Sequence, residues 1–378
     1  MVPTIRFPNR NPAEFIAEMK RRVAAHFEAH DGRTKGDWRM VSKTIVLLGV
    51  YFGAYALILT DWFSPLGMLG LSVVMGVGMA GIGFAVGHDA LHGAYSEKPW
   101  VNRLVGYTFD VLGANGYMWK KTHNIDHHTY TNIEGVDGDL DASSLLRLSP
   151  HSAHRPIHRY QHWYAFAAYS VSTLIWGSVK DFQYFLRADG GPYRTKQHPT
   201  CEVVSFIATK LLYYGYTLAV PMLVLEVAWW QVMLGWLALH LTAGLILGVI
   251  FQLAHVVEET AYPVPDAAGN MEHAWLVHEL ETTANFARRN RLLTWYVGGL
   301  NYQIEHHLYP RVCSIHYPAI AEIVRSVALA NGMPYHEHTT LRGAIRSHVR
   351  VLRRLGQGVM AVGDSAVGLD PSSGQARA

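Results

Sequence analysis

The sequence predicts an all-α integral membrane protein, with four transmembrane helices in two hairpins and a cytoplasmic helical cap. Three observations predict it. Half of the 378 residues are hydrophobic (50%) and only 16% are charged, where an ordinary soluble domain carries about 25% charged residues. Four long runs carry almost no charge, and nearly all Lys and Arg residues fall on one side of those runs. The same composition excludes disordered, collagen-like and coiled-coil chains. Two cysteines, Cys201 and Cys313, supply neither a disulfide framework nor a zinc ribbon. A net charge of +3 is too small and too dispersed for a nucleic-acid surface. Histidine, with 22 residues, is the anomaly.

Residues 1–43 form a cytoplasmic N-terminal helical segment, opened by Asn11-Pro12 and lacking the apolar core of a signal peptide. A bilayer core of ~30 Å needs ~17–25 helical residues. Thr44–Thr60 and Pro65–Gly87 satisfy that length and make the first hairpin, residues 44–87. Residues 88–203 follow as a cytoplasmic segment, and 204–253 form the second hairpin, with its turn at Glu226 and an aromatic belt at Trp229 and Trp230. Residues 254–355 are again cytoplasmic, and 356–378 read as a flexible tail. Lys and Arg number 9 in residues 1–43, 11 in 88–205 and 11 in 256–378, with Lys210 near the end of the third span and none in the two short turns. That asymmetry puts both termini and the middle segment in the cytoplasm. The rival, four buried core helices of a soluble protein, predicts solubility without detergent.

Where the second span ends, GHDALHG places His88 and His92 four residues apart, on one helix face. HNIDHHTYTN adds His123, His127 and His128, the first two again sharing a face. NYQIEHHLYP adds His306 and His307 with Gln303 just before them, and His255 ends the fourth span at the depth of His88. All eight histidines lie on the cytoplasmic side of the predicted topology. One zinc takes three or four protein ligands, so eight imidazoles and an amide point to a di-metal site. Neutral imidazole suits zinc, copper, iron and nickel alike, which leaves the metal open. Asp89, Asp126 and Glu305 are placed to accept the second ring N–H of these histidines. The run His151, His154, His158, His162 contains Pro156 and reads as a membrane-interface helix, not a second site. His240 reads as a packed residue within the fourth span, and His278 as either a support for the site or an exposed residue.

The three boxes resemble those of the membrane fatty acid desaturase family: HxxxH at His88–His92, HxxxHH at His123–His128 and QxxHH at Gln303–His307. Glutamine at the head of the third box is similar to the front-end branch and its bacterial linoleoyl-CoA-desaturase-like relatives. The resemblance implies two iron ions at a non-haem centre, O2 as co-substrate, and removal of two hydrogens from a fatty acyl chain carried by CoA or a lipid. His88, His92, His123, His127, His128, His306 and His307 are then the catalytic residues, and with His255 and Gln303 the metal ligands. Many eukaryotic front-end members carry a fused haem domain with a His-Pro-Gly-Gly motif. No such motif occurs here, so electrons are expected from a separate donor such as a ferredoxin.

An alkyl C–H bond offers no acidic proton, so a redox metal with O2 is required. Tyr117, Met118 and Trp119, before the second box, are candidates for an apolar lining that holds the chain. Arg342, Arg346, Arg350, Arg353 and Arg354 recur at helical spacing, and Arg288, Arg289 and Arg291 cluster before the third box. Both groups suit anionic lipid or an acidic electron donor. The nearest rival function is a related histidine-box hydroxylase (monooxygenase) acting on fatty acyl or alkane chains. A metal transporter or sensor is the rival from another class, though the spans offer little polar path beyond His240. Localisation in a bacterial inner membrane follows as an expectation.

Overall fold

The computed structural model describes residues 5–8, 13–138, 140, 144–186 and 198–359, and within them the chain is almost wholly helical. Helix α1 (Ala13–Glu28) carries Phe15, Met19, Val23 and Phe27 at spacings of four on its buried face. Four helices are long and apolar enough to cross a membrane: α2 (Trp38–Leu59), α3 (Pro65–Leu91), and, after α4 (Pro99–Val111), α5 (Gly116–Lys121) and α6 (Gln161–Ser170), α7 (Thr200–Val224) and α8 (Trp229–His255). They match the four uncharged runs and extend most of them. Helix α2 begins six residues early because Asp37 caps it, accepting from the Arg39 backbone N–H at 2.8 Å. Helix α3 begins where expected, with Ser64 as cap and Pro65 in its first turn.

Packing among these helices is uneven. Helix α3 lies between α2 and α8, and α8 also packs against α6. Helix α7 packs more lightly than these, its first part against α4 and its second part against α8, its partner in sequence. Gly76 makes the α3–α8 contact possible, since a Cβ there would sit 2.6 Å from the Leu239 carbonyl oxygen. Away from that packing the helices are apolar outward: Ile45 is 65% exposed, Leu211 70% and Leu223 84%. At the turns, the Glu226 N–H reaches Asp61, and Trp62 and Trp229 are exposed beside them.

The rest of the chain folds over the opposite end of α3 and α8. Helix α9 (Trp275–Thr282) leads into strand β1 (Ala284–Phe286), then α10 (Arg291–Tyr296), α11 (Gln303–Leu308), α12 (Tyr317–Ala330), strand β2 (His336–His338) and α13 (Leu341–Gln357). Strands β1 and β2 pair in parallel, with Asn285 opposite Glu337. Helix α1 packs on α12, and their apolar faces share a core with α9 and α11. Burying each such side chain stabilises the fold by about 1.5–3 kcal/mol. Helix α13 turns Val351, Leu352 and Leu355 inward, while Arg350 and Arg354 pair with Glu258. It ends at Gln357, past the expected start of the tail at 356, with Gly358 in the left-handed region at φ 70°. Residues 360–378 of that tail, and the Asn11-Pro12 helix opening, lie outside the described residues.

The run from His151 to His162 is not one helical stripe. Pro156 starts a short 3-10 turn and the α-helix begins only at Gln161. His151, His154 and His158 instead bond the backbone carbonyls of Tyr262, Gly356 and Ser144. They tie separate segments together. His240 is packed as expected, between Tyr213 and Thr173.

Candidate metal centre

Each box arrives on a helix end shaped for it. Just before His88, α3 widens into a π-helical turn, Gly83–Gly87, and α-helix resumes at His88–Leu91. Asn115 caps α5 by accepting from the Met118 N–H at 2.9 Å. Helix α5 then runs into a second π-helical turn, Thr122–His127, which holds His123 and His127. Such turns recur at functional sites. Helix α11 follows Gly298 and Gly299, at φ 59° and 72°. A Cβ on Gly298 would lie 2.5 Å from the Ala85 Cα, so this glycine lets the third box press against the π turn ahead of the first.

The structure brings all the predicted histidines together and sorts them into two groups. The ligand atoms of His88, His92, His123 and His306 lie within 4.8 Å of one another, and so do those of His127, His255 and His307. All seven residues are buried. His123 and His127, read from their spacing as sharing one helix face, do stack, with ring centroids 5.0 Å apart, yet their ligand atoms fall in different groups. His128 lies between the groups, its ring 4.6 Å from that of His306 and 4.4 Å from that of His307. Gln303 is buried with its side-chain amide 3.3 Å from His255 Nε2.

Support comes from residues that spacing did not reveal. The His127 Nδ1–H donates to Asp137 at 3.1 Å, and the His307 Nδ1–H to Glu279 at 2.6 Å. His255 Nδ1–H donates to the Thr282 carbonyl at 3.2 Å, and His306 Nδ1 meets the Tyr317 hydroxyl at 3.1 Å. Fixing Nδ1 in this way leaves the Nε2 lone pair facing the centre. Of the three acids expected in this role, Asp89 stands 3.7 Å from His88 Nδ1 and takes the Ser314 N–H and hydroxyl on its other oxygen. Glu305 turns away to Asn285 and Tyr335, and burial pushes its carboxyl up to about 7. Asp126 is half-buried. No local motif marks Asp137 or Glu279. The nearest signal for the latter is its neighbour His278, which is itself buried against Phe7, so the exposed alternative for His278 fails.

The electrostatics suit metal binding. Burial, and secondarily the neighbouring imidazoles, hold His92, His123, His128, His306 and His307 well below the usual histidine value of 6.5. They are neutral and therefore able to act as ligands. The Nε2 atoms of His88, His92, His306 and His307 and both ring nitrogens of His128 are buried with no hydrogen-bond partner among the described residues. Such orphaned acceptors are costly unless something binds them, so the residues present fit a pair of metal ions.

Trp119 stacks on His123 with ring centroids 4.3 Å apart, and Phe251 covers His127 at 5.0 Å. These two make an apolar wall against both groups. Met118 is buried beside Trp119 in sequence. Tyr117 is directed elsewhere, its hydroxyl on His198 Nδ1 at 3.1 Å.

Residues 63–339 match the fatty acid desaturase family. The sn-1 linoleoyl-lipid 6-desaturase of Synechocystis is 35% identical over 348 residues, which is 91% of this chain and 96% of that protein. The enzyme of the same name from Arthrospira platensis is also 35% identical over 348 residues, covering 90% of this chain and 92% of its own. The acyl-lipid (8-3)-desaturase of Physcomitrium patens is 30% identical over 355 residues, 93% of this chain and 74% of that protein. By the span of these matches, the chain belongs to the fatty acid desaturase family and is an oxidoreductase acting on fatty acyl chains.

Proposed function

We propose that the protein is an O2-dependent membrane desaturase of lipid-linked fatty acyl chains, with one iron ion at His88, His92, His123 and His306 and a second at His127, His255 and His307. The observation that carries this reading is the pair of buried histidine groups with their lone pairs converging. Gln303 completes or orients the second group through His255, and His128 bridges the space between the two. Iron bound by such ligands supplies the O2-dependent oxidising power that an unactivated C–H bond demands. Asp137, Glu279 and Tyr317 hold the imidazoles in one tautomer and one orientation. Trp119 and Phe251 keep water from the centre and bound the space for the chain. The lipid-linked form of the substrate is supported by the names of the cyanobacterial relatives.

The four apolar helices form two hairpins in a bacterial inner membrane, with residues 1–43, 88–203 and 254–355 on the cytoplasmic side. The distribution of Lys and Arg supports that orientation. Electrons come from a separate ferredoxin-like donor. Expression in a host of known lipid composition, followed by mass spectrometry and double-bond mapping, tests the reaction. Loss of two hydrogens from a host acyl chain is the expected result, and gain of one oxygen instead would mean a hydroxylase. Metal analysis of the same preparation is expected to give two iron ions per chain.

A further inference from the structure

A basic cleft of about 480 Å³ opens beside the centre, lined by Arg39, Lys43, Arg288, Arg289, Arg291 and Trp295 and by no carboxylate. Its cations are not equally committed. Arg39 pairs with Asp37, and Arg288 with Glu322 and Glu337. Lys43 is only 5% exposed, yet its ammonium has no hydrogen-bond or ion-pair partner among the described residues and lies 6.0 Å from the Trp295 ring. The nearby Asp89 carboxylate attracts this ammonium without contacting it, and a largely buried cation with no contact partner is costly. Arg289 and Arg291 are exposed at the rim.

The cleft lies at the level where a bilayer surface is expected. Lys43 sits in the second turn of α2, and Ile45, two residues on, is 65% exposed. Trp38 is 75% exposed and Leu292 77%. Helix α10 leans on α3, the Tyr296 hydroxyl donating to the Val77 carbonyl at 2.8 Å. Aromatic and basic residues at this depth suit the headgroup layer. On its inner side the cleft reaches Ser314, which donates to the Asp89 carboxylate next to His88.

From this we infer that the cleft seats the anionic headgroup of a membrane glycerolipid, holding its ester end beside the first histidine group. The inference rests on the lipid-linked reading above and deepens it. An ammonium this deep is within reach of a small anion on a flexible tether, and out of reach of carboxylates fixed on a folded electron donor. A lipid held here presents its acyl chain to the centre from the carboxyl end.

The test uses the full chain in mixed micelles containing phosphatidylglycerol or phosphatidylcholine, with retained lipid counted by native mass spectrometry. Wild-type protein is expected to retain phosphatidylglycerol in preference to phosphatidylcholine. Arg289→Glu/Arg291→Glu is expected to weaken that retention by about tenfold or more, and Lys43→Gln by a smaller factor. Arg289→Lys/Arg291→Lys is expected to preserve it. Equal metal content in all variants shows that each is folded. Unchanged phosphatidylglycerol retention in the charge-reversal variant overturns the inference. So does selective loss of reduction by the electron donor with lipid retention intact, which would make the cleft a protein-docking surface. Selective loss of acyl-CoA binding would likewise overturn it in favour of a soluble phosphate ligand. New double bonds made by the wild type, scored separately, decide the desaturase reading whichever way lipid retention falls.

Discussion

The two halves of the centre use the same side chain and differ in what stands behind it. In the second half, His127 and His307 each donate Nδ1–H to a buried carboxylate, Asp137 and Glu279, and His255 donates to the Thr282 carbonyl. In the first half, His306 meets a tyrosine hydroxyl, and His88 stands 3.7 Å from the carboxylate of Asp89. A carboxylate behind an imidazole raises its basicity and hence its strength as a ligand. His127 and His307 are therefore plainly backed by carboxylates, and a metal ion held there is expected to be bound tightly. Buried histidines elsewhere sharpen the contrast. His348 places Nδ1 on the Val256 carbonyl at 2.7 Å and Nε2 on the Tyr169 hydroxyl at 2.9 Å, so both nitrogens are satisfied within the protein. Burial alone does not make a ligand; unsatisfied nitrogens converging on one point do.

The largest expected effect comes from replacing a ligand. His127→Ala removes product formation altogether and lowers the metal content per chain, measured by lipid analysis and elemental analysis of one preparation. His348→Ala, by contrast, costs about 1–3 kcal/mol of stability by leaving a buried carbonyl and hydroxyl unpaired and keeps its metal. Retained activity in the first variant, or metal loss in a folded second, would erase the distinction. An intermediate effect is expected behind the ligands. Glu279→Gln lowers metal affinity by about 10–100-fold, and Tyr317→Phe by clearly less, in chelator competition. The reverse order would contradict the asymmetry of the two halves.

The smallest effect concerns acid. His92, His123, His128, His306 and His307 are depressed below 6.5 in the folded protein. Below that value the unfolded chain takes up protons that the folded chain refuses. Their contribution to stability is thus complete above pH 6.5 and is lost as pH falls below it. The melting temperature of metal-free protein is expected to drop between about pH 7.5 and about pH 5.5, and a flat profile would oppose it.

Much of this architecture is legible in sequence because its causes are local. Uncharged runs such as Pro65–Gly87 need only length and hydrophobicity to be recognised, and a cap such as Ser64 is read from its neighbours. The histidine boxes repeat at short spacing for the same reason. What stayed hidden depends on tertiary approach. Glu279 meets His307 across 28 positions, and Asp137 meets His127 only after a turn at Asn132 with φ 60° brings the chain back. Adjacency misled in the other direction: Asp89 and Glu305 sit beside ligands in sequence, yet each spends much of its bonding on residues away from the histidines. The light packing of α7 was hidden too, since hydropathy defines a span and says nothing about its neighbours.

The π turn at Thr122–His127 amounts to one extra residue spliced into a helix. Across it the rings of His123 and His127 stay stacked, 5.0 Å apart, while their ligand atoms join different histidine groups. One short segment thereby supplies a candidate ligand to each of the two histidine groups. A single-residue deletion within this turn, which changes no histidine, shifts every later residue of the box against the first and is expected to lower the metal content per chain, measured by elemental analysis.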